Sequence, residues 1–312
     1  MKQFLAIIVG FLLAHSTAWA WPDRDVTIVT GISVGSAPDT IAKAIAEKLS
    51  QKWQVKVRIE NKPGAAGLVA LQQYVSTGDN HTIYYGDAGN FTTMPLLYNK
   101  QDLIDQITPV APVYDNFSWV IIMPASVREE DFVANVKANP KFGSWGIGSA
   151  GHLCGEEVLQ SLGIKGSHVP YKNFGQWFTD VSNGLLSFSC ISFGSARSMV
   201  DAGKLKWYAV TGPKKPPQFV HVPTIQQRLG LDRFRTERGW LAFYAHRRMS
   251  DRHLVKLEND LRRVLEDPEV IRVIQGFYAQ PWTDLQFRSV IQQDYRFVDQ
   301  MIRDFSISID KQ

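Results

Sequence analysis

The apolar positions of this chain change period again and again, and that rhythm predicts alternating strands and helices. Val26 to Thr30 is a short apolar run of strand type. Asp39 to Lys52 follows as an amphipathic helix, because Ile41, Ala44, Ile45 and Leu49 fall on one face. Val55 to Glu60 alternates as a second strand. The stretch Asn61-Lys62-Pro63-Gly64-Ala65-Ala66-Gly67 carries turn residues and leads into a helix through Tyr74, before a third strand from Thr82 to Gly86. This β-α-β-α-β order predicts a parallel sheet with right-handed crossovers.

A strand around Trp119 to Met123 marks a crossing into a second lobe, where the rhythm repeats. Strands are expected near 142–145, 167–169, 186–191 and 207–211, separated by helices near 151–162, 174–183 and 195–202. After Trp240 come a strand from Leu241 to Ala245 and helices near 251–267, 268–276 and 284–305, a tail expected to return to the first lobe. The fold class is therefore α/β with two lobes, each a mostly parallel sheet flanked by helices, and a ligand cleft between them. Residues 21–120 plus 241–312 are expected to form lobe 1, and residues 121–240 lobe 2. Ligands of such sheets bind beyond the carboxyl ends of the strands, and a hinged cleft follows.

The first twenty residues change the picture of compartment. Lys2 precedes an apolar core from Phe4 to Ala14, and Ala18-Trp19-Ala20 has the small-x-small form of a cleavage site. This predicts a signal peptide cleaved after Ala20 and an exported, periplasmic protein. The apolar core is too short to span a bilayer. Formal charge is +4, with basic residues scattered; Lys214-Lys215 and Arg247-Arg248 are only pairs, so no nucleic-acid partner is expected. The two cysteines, Cys154 and Cys190, would meet an oxidising compartment, but sequence leaves open whether they pair. No metal-type spacing is present, and no metal or cofactor is expected.

The densest candidate chemistry lies in Phe142-Gly143-Ser144-Trp145-Gly146-Ile147-Gly148-Ser149-Ala150-Gly151-His152-Leu153, which reads as strand end, small-residue loop and helix start. Unpaired N–H groups at such a start attract anions. Gly146, Gly148 and Gly151 match Gly-x-Gly-x-x-Gly, but a dinucleotide site wants a carboxylate about 20 positions on. His168-Val169-Pro170-Tyr171-Lys172-Asn173 supplies none, and an exported chain rarely meets such cofactors. Ser144, Gly148, Ser149 and His152 are the candidates here, with helix capping the alternative role for Ser149. Ser33, Gly35, Ser36 and Asp39 form the corresponding set in the first lobe, where Asp39 either caps its helix, orients the loop or faces an amine. Asp87 and Asn90 follow a strand end beside Gly86 and Gly89, where cleft residues or turn formers belong. Tyr171 offers an aromatic wall. His152 and Cys154 stand two apart on a helix and do not face each other, so nucleophilic catalysis has no support and no enzyme is expected.

Several segments, in order, resemble the Bug-type solute-binding proteins, the extracytoplasmic receptors of tripartite tricarboxylate transporters. They are Trp21-Pro22-Asp23-Arg24-Asp25-Val26, Glu60-Asn61-Lys62-Pro63-Gly64-Ala65-Ala66-Gly67, Met94-Pro95-Leu96-Leu97-Tyr98 and Pro109-Val110-Ala111-Pro112-Val113. In the second lobe Gly143 to Leu153, His168 to Lys172, Gly203 to Thr211 and Val222-Pro223-Thr224 match. The resemblance implies a periplasmic-binding-protein-like, monomeric receptor that closes on a small carboxylate and delivers it to membrane permease subunits, or alternatively presents its closed form to a sensor protein. It also implies ligand contacts through loop backbone, hydroxyls and water. The chain departs from the pattern at Gly31-Ile32-Ser33-Val34-Gly35-Ser36, where prolines and glycine are replaced, and at Ser187, Ile191 and Ala245 to Ser250.

Overall fold

The structure, a computed structural model, describes residues 21–116, 119–212, 215–231, 234, 239–282 and 286–308. The expected signal peptide, Lys214 and the start of the last helix near 284 lie outside the described residues.

The first half builds β1 (Val26–Thr30), α1 (Ala37–Trp53), β2 (Val57–Asn61), α2 (Leu68–Thr77) and β3 (Thr82–Asp87). Two short helices, α3 (Thr93–Tyr98) and α4 (Gln101–Ile104), precede β4 (Ile107–Asn116). The second lobe runs through β5 (Val120–Pro124), α5 (Phe132–Ala138), β6 (Lys141–Ser144), α6 (Ala150–Ser161) and β7 (Ser167–Pro170). It continues with α7 (Phe174–Ser182), β8 (Phe188–Ile191), α8 (Phe193–Asp201), β9 (Leu205–Val210) and α9 (Ile225–Leu229). The chain closes with β10 (Gly239–His246), α10 (Asp251–Leu265), α11 (Pro268–Gly276), β11 (Gln280–Pro281) and α12 (Phe287–Asp304).

Two sheets result, ordered β11-β4-β10-β3-β1-β2 and β7-β6-β8-β5-β9. Each is mixed, which corrects the expectation of mostly parallel sheets. The trios β2-β1-β3 and β7-β6-β8 are parallel, whereas β10 and β5 pair antiparallel with both neighbours. The reason is connectivity. β5 and β10 are the strands that enter a lobe from the other one, so each starts at the cleft end and runs away from it. The crossings lie together: Trp119 and Thr211 exchange hydrogen bonds, and Gly239 stands against Asn116 and the Trp119 ring.

β4 escaped the sequence reading because Pro109 and Pro112 argue against a paired strand. The structure accommodates them at two register shifts opposite β10, where Ala242 faces Pro112 and Tyr244 faces Pro109. A missing N–H is tolerated where the ladder is already interrupted.

Both sheets are covered on both faces. Ile41, Ile45 and Leu49 of α1 pack with Leu257, Leu261 and Ile274 on one side of the first sheet, and Leu71, Tyr74 and Phe287 on the other. In the second, Val120 and Ile122 face Trp177 and Phe193, while Ile121 and Met123 face Phe132 and Val158. Burial on both sides explains the continuous apolar run of β5. Each such aliphatic side chain contributes roughly 1.5–3 kcal/mol. The tail meets both lobes: Phe287 and Val290 join the first core, whereas Val298 and Met301 bury Leu153 of α6. Cys154 and Cys190 form a disulfide with Cα atoms 6.1 Å apart, tying the first turns of α6 to β8.

Candidate functional site

The loops after β1, β3 and β6 lie at the cleft ends of their strands. In the second lobe, Ser149 caps α6 by accepting the His152 N–H at 3.3 Å. His152 sits one turn in, 1% exposed, and its Nδ1 reaches back to accept the Gly148 N–H at 2.9 Å. That bond leaves the ring proton on Nε2, which faces Glu156 at 3.5 Å. The imidazole stacks on His168 at 4.1 Å. Ser144 is fully buried and acts as the knot of the loop, contacting His168 Nε2 at 2.6 Å and accepting from Ser149 Oγ at 2.9 Å and Gly146 N–H at 3.2 Å. Its hydroxyl is spent inside the loop. The N–H groups of Ala150 and Gly151 have no intrahelical acceptor at this helix start.

The first lobe repeats the device with different chemistry. Ser36 caps α1, accepting the Asp39 N–H at 3.4 Å. Asp39, fully buried, reaches back to accept the Gly35 N–H at 2.8 Å. Its carboxylate also accepts from Lys43 at 2.7 Å and Asn61 at 2.9 Å. Burial alone would raise its pKa, but the Lys43, Gly35 and Asn61 hydrogen bonds outweigh that and hold it below the usual carboxylate range. Pro38 removes one N–H from this helix start, so α1 presents fewer free donors than α6. Ser36 Oγ donates to Ser33 O at 2.8 Å, which closes the loop on itself.

At the end of β3, Asp87 accepts the Asn90 N–H at 3.2 Å and also the Gly89 N–H. Its carboxylate touches solvent, yet protein surrounds it on most sides, and that loss of bulk water pushes its pKa up to about 6. Gly86 is buried against Tyr84, whose hydroxyl donates to Asn90 at 2.7 Å. Tyr171 stands in the second lobe, where its hydroxyl donates to Asp180 at 2.6 Å.

The lobes meet where the second loop touches α3. A Cβ at Gly148 would lie 2.5 Å from Leu97 and 2.7 Å from Thr93. The structure thus brings the Ser144–His152 group against the segment that follows Asp87. Sequence reasoning missed Asn61 as an organising residue, and it placed Asn90 at the strand end without its partners. Asn61 joins Ile32 O to Asp39, and Asn90 packs under Gly67 while receiving Tyr84. A carboxamide at a strand end was the available signal, but the partners of Asn61, Ile32 and Asp39, come from distant sequence. Among the described residues, no group of three or more His, Cys, Asp or Glu could hold a metal ion. Among them, too, no helix is long and apolar enough to cross a membrane.

Comparison with known proteins agrees with this architecture. A UPF0065 protein of Bordetella pertussis is 29% identical over 291 residues, spanning 88% of this chain and 87% of that protein. The periplasmic binding protein BugD has the same fold, with a TM-score of 0.81 at 24% identity over 92% of this chain and 99% of that one. The R. palustris protein Rpa4515, solved with adipate, gives 0.82 at 23% identity over 92% and 99%. Residues 41–307 match the family described as "Tripartite tricarboxylate transporter family receptor". The chain belongs to that family, whose members are solute-binding proteins rather than enzymes.

Proposed function

We propose that this receptor captures a small carboxylate between its lobes in the periplasm and delivers it to the membrane subunits of a tripartite tricarboxylate-type transporter. The observation that carries the reading is the contact of Gly148 with Thr93 and Leu97. It sets the α6 start, whose first N–H groups lack an intrahelical acceptor, at the seam between the lobes, where an anion would touch both. Adipate in the fold neighbour Rpa4515 supports a carboxylate, and family membership supports a transporter partner. Residues 21–120 with 241–312 would move as one lobe and 121–240 as the other, bending where Trp119, Thr211 and Gly239 meet. The candidate contacts are Ser33, Gly35, Ser36, Asp87, Gly89, Ser149 and Tyr171, with Asp39, Gly86, Ser144, Gly148 and His152 shaping the loops that carry them.

Ligand contacts to both lobes stabilise the closed form, so binding raises the melting temperature. A thermal-shift screen of dicarboxylates, tricarboxylates, amino acids and aromatic acids tests this. A positive shift without turnover is expected; no shift with any of them would sink the carboxylate reading. Pull-down with the liganded protein then separates a permease subunit from a sensor.

A further inference from the structure

We propose that Asp87 is a subsite for a cationic nitrogen, so that the cleft selects carboxylates that also carry an ammonium group. The proposal rests on the cleft being the ligand site and deepens that reading.

Asp87 ends β3, a central strand of the first sheet, at the cleft end. Backbone N–H groups of Gly89 and Asn90 donate to its carboxylate, but among the described residues neither Lys nor Arg enters its charge balance. The contrast with Asp39 is direct. That carboxylate is buried and neutralised by Lys43, whereas Asp87 reaches solvent with its charge uncompensated. A ligand with anions at both ends would set one of them against Asp87. A ligand with an ammonium would instead pair there while its carboxylate reached the α6 start.

A second observation lies behind Asp87. Tyr85 stands two residues earlier and therefore shares its face of the strand. The ring is fully buried, its hydroxyl has no hydrogen-bond partner, and the field of Asp87 reaches it. Tyr114 of β4 is buried in the same core and feels Asp87 as well. Desolvation keeps both phenols protonated, so they lend oxygen lone pairs and no charge. Within β3, Tyr84 on the opposite face has its hydroxyl bonded to Asn90, whereas that of Tyr85, on the Asp87 side, is unpartnered. Carboxylate and phenol oxygens together suit a group that only donates.

The test is calorimetric titration of matched pairs that differ by one amino group: succinate and aspartate, glutarate and glutamate, adipate and 2-aminoadipate. Asp87→Asn and Asp87→Ser both keep an acceptor for the Asn90 N–H, so the turn is retained in either variant. In at least one pair the amino partner should bind about tenfold tighter or more, and both variants should abolish that preference, the plain diacid binding at least as tightly as it does to the natural protein. Plain acids that bind as well as their amino partners would overturn the proposal while the carboxylate reading stood. So would a preference that survives both variants. If no member of any pair binds, both readings fall together.

Discussion

The two helix starts share one capping plan but differ in the side chain that reaches back from the first turn. In each, serine caps the helix, and the residue three places on reaches back to a glycine N–H: Asp39 to Gly35, His152 to Gly148. In the first lobe that residue is an anion held by three donors. In the second it is an imidazole with an unprotonated Nδ1, stacked on His168. A fixed carboxylate at the start of α1 uses up the positive end of the helix from within. An imidazole brings no negative charge, so the positive end of α6 is not offset in that way. The lesson is that two loops of the same shape need not do the same job, and only the first holds a carboxylate of its own at the helix start.

The largest effect should come from the cross-link that only the second loop has. The disulfide closes a loop of sequence separation 36, so Cys154→Ser with Cys190→Ser should cost about 4 kcal/mol, read by urea denaturation. Reductant should lower the melting temperature of the natural protein and leave that of the double variant unchanged. Asp39→Ala removes the acceptor of the Gly35 N–H and the partner of both Lys43 and Asn61; about 2–3 kcal/mol should be lost at neutral pH. A loss near zero would mean that the first loop does not depend on its carboxylate.

Gly35 and Gly148 offer a sharper cut, because their φ angles are nearly equal, at +81° and +79°. Alanine at either meets the same backbone strain, about 1 kcal/mol. Around Gly35 a Cβ finds open space, whereas at Gly148 it strikes Leu97 and Thr93 of the facing lobe. Gly148→Ala should therefore cost more, about 2 kcal/mol, and weaken ligand binding by holding the lobes apart. Equal costs for the two would break the assignment of Gly148 to the seam.

The smallest effect concerns pH and has opposite signs at the two carboxylates of the first lobe. The Asp39 pKa is lowered in the folded state, so its contribution is present above the unfolded value near 3.9 and is lost as pH falls through the folded one. The Asp87 pKa is raised to about 6, so its ionisation opposes folding at neutral pH, and stability rises as pH falls from about 6 towards 4. Because Asp87 touches solvent, screening discounts the effect to about 1 kcal/mol or less. Asp87→Asn should flatten that part of the profile and Asp39→Asn should not, as followed by melting temperature against pH.

Much of this fold was legible in advance. Helical spacing of Ile41, Ile45 and Leu49 located α1, and the unbroken apolar run at β5 located a strand buried on both sides. Periodicity reports burial directly, which is why those elements were visible. It does not report direction or partner, so the antiparallel entry of β5 and β10 was invisible, and two prolines hid β4. At the site, Ser36 and Ser149 were readable as caps because capping is local. Asn61 was not, because its partners Ile32 and Asp39 lie in another segment.

By itself, then, the amino-acid sequence determined the α/β alternation, the helix caps, the glycine-rich loops and the family resemblance, since all of these depend on neighbours along the chain. Tertiary structure alone decided that Asn61 holds Asp39, that Cys154 meets Cys190, and that Gly148 faces Thr93 and Leu97 across the seam. Hydrogen bonds between residues far apart in sequence consume or spare a donor only once folding has set them together. The anion-attracting loop could be found from composition, but which of its groups are available to a ligand is a property of the packed molecule.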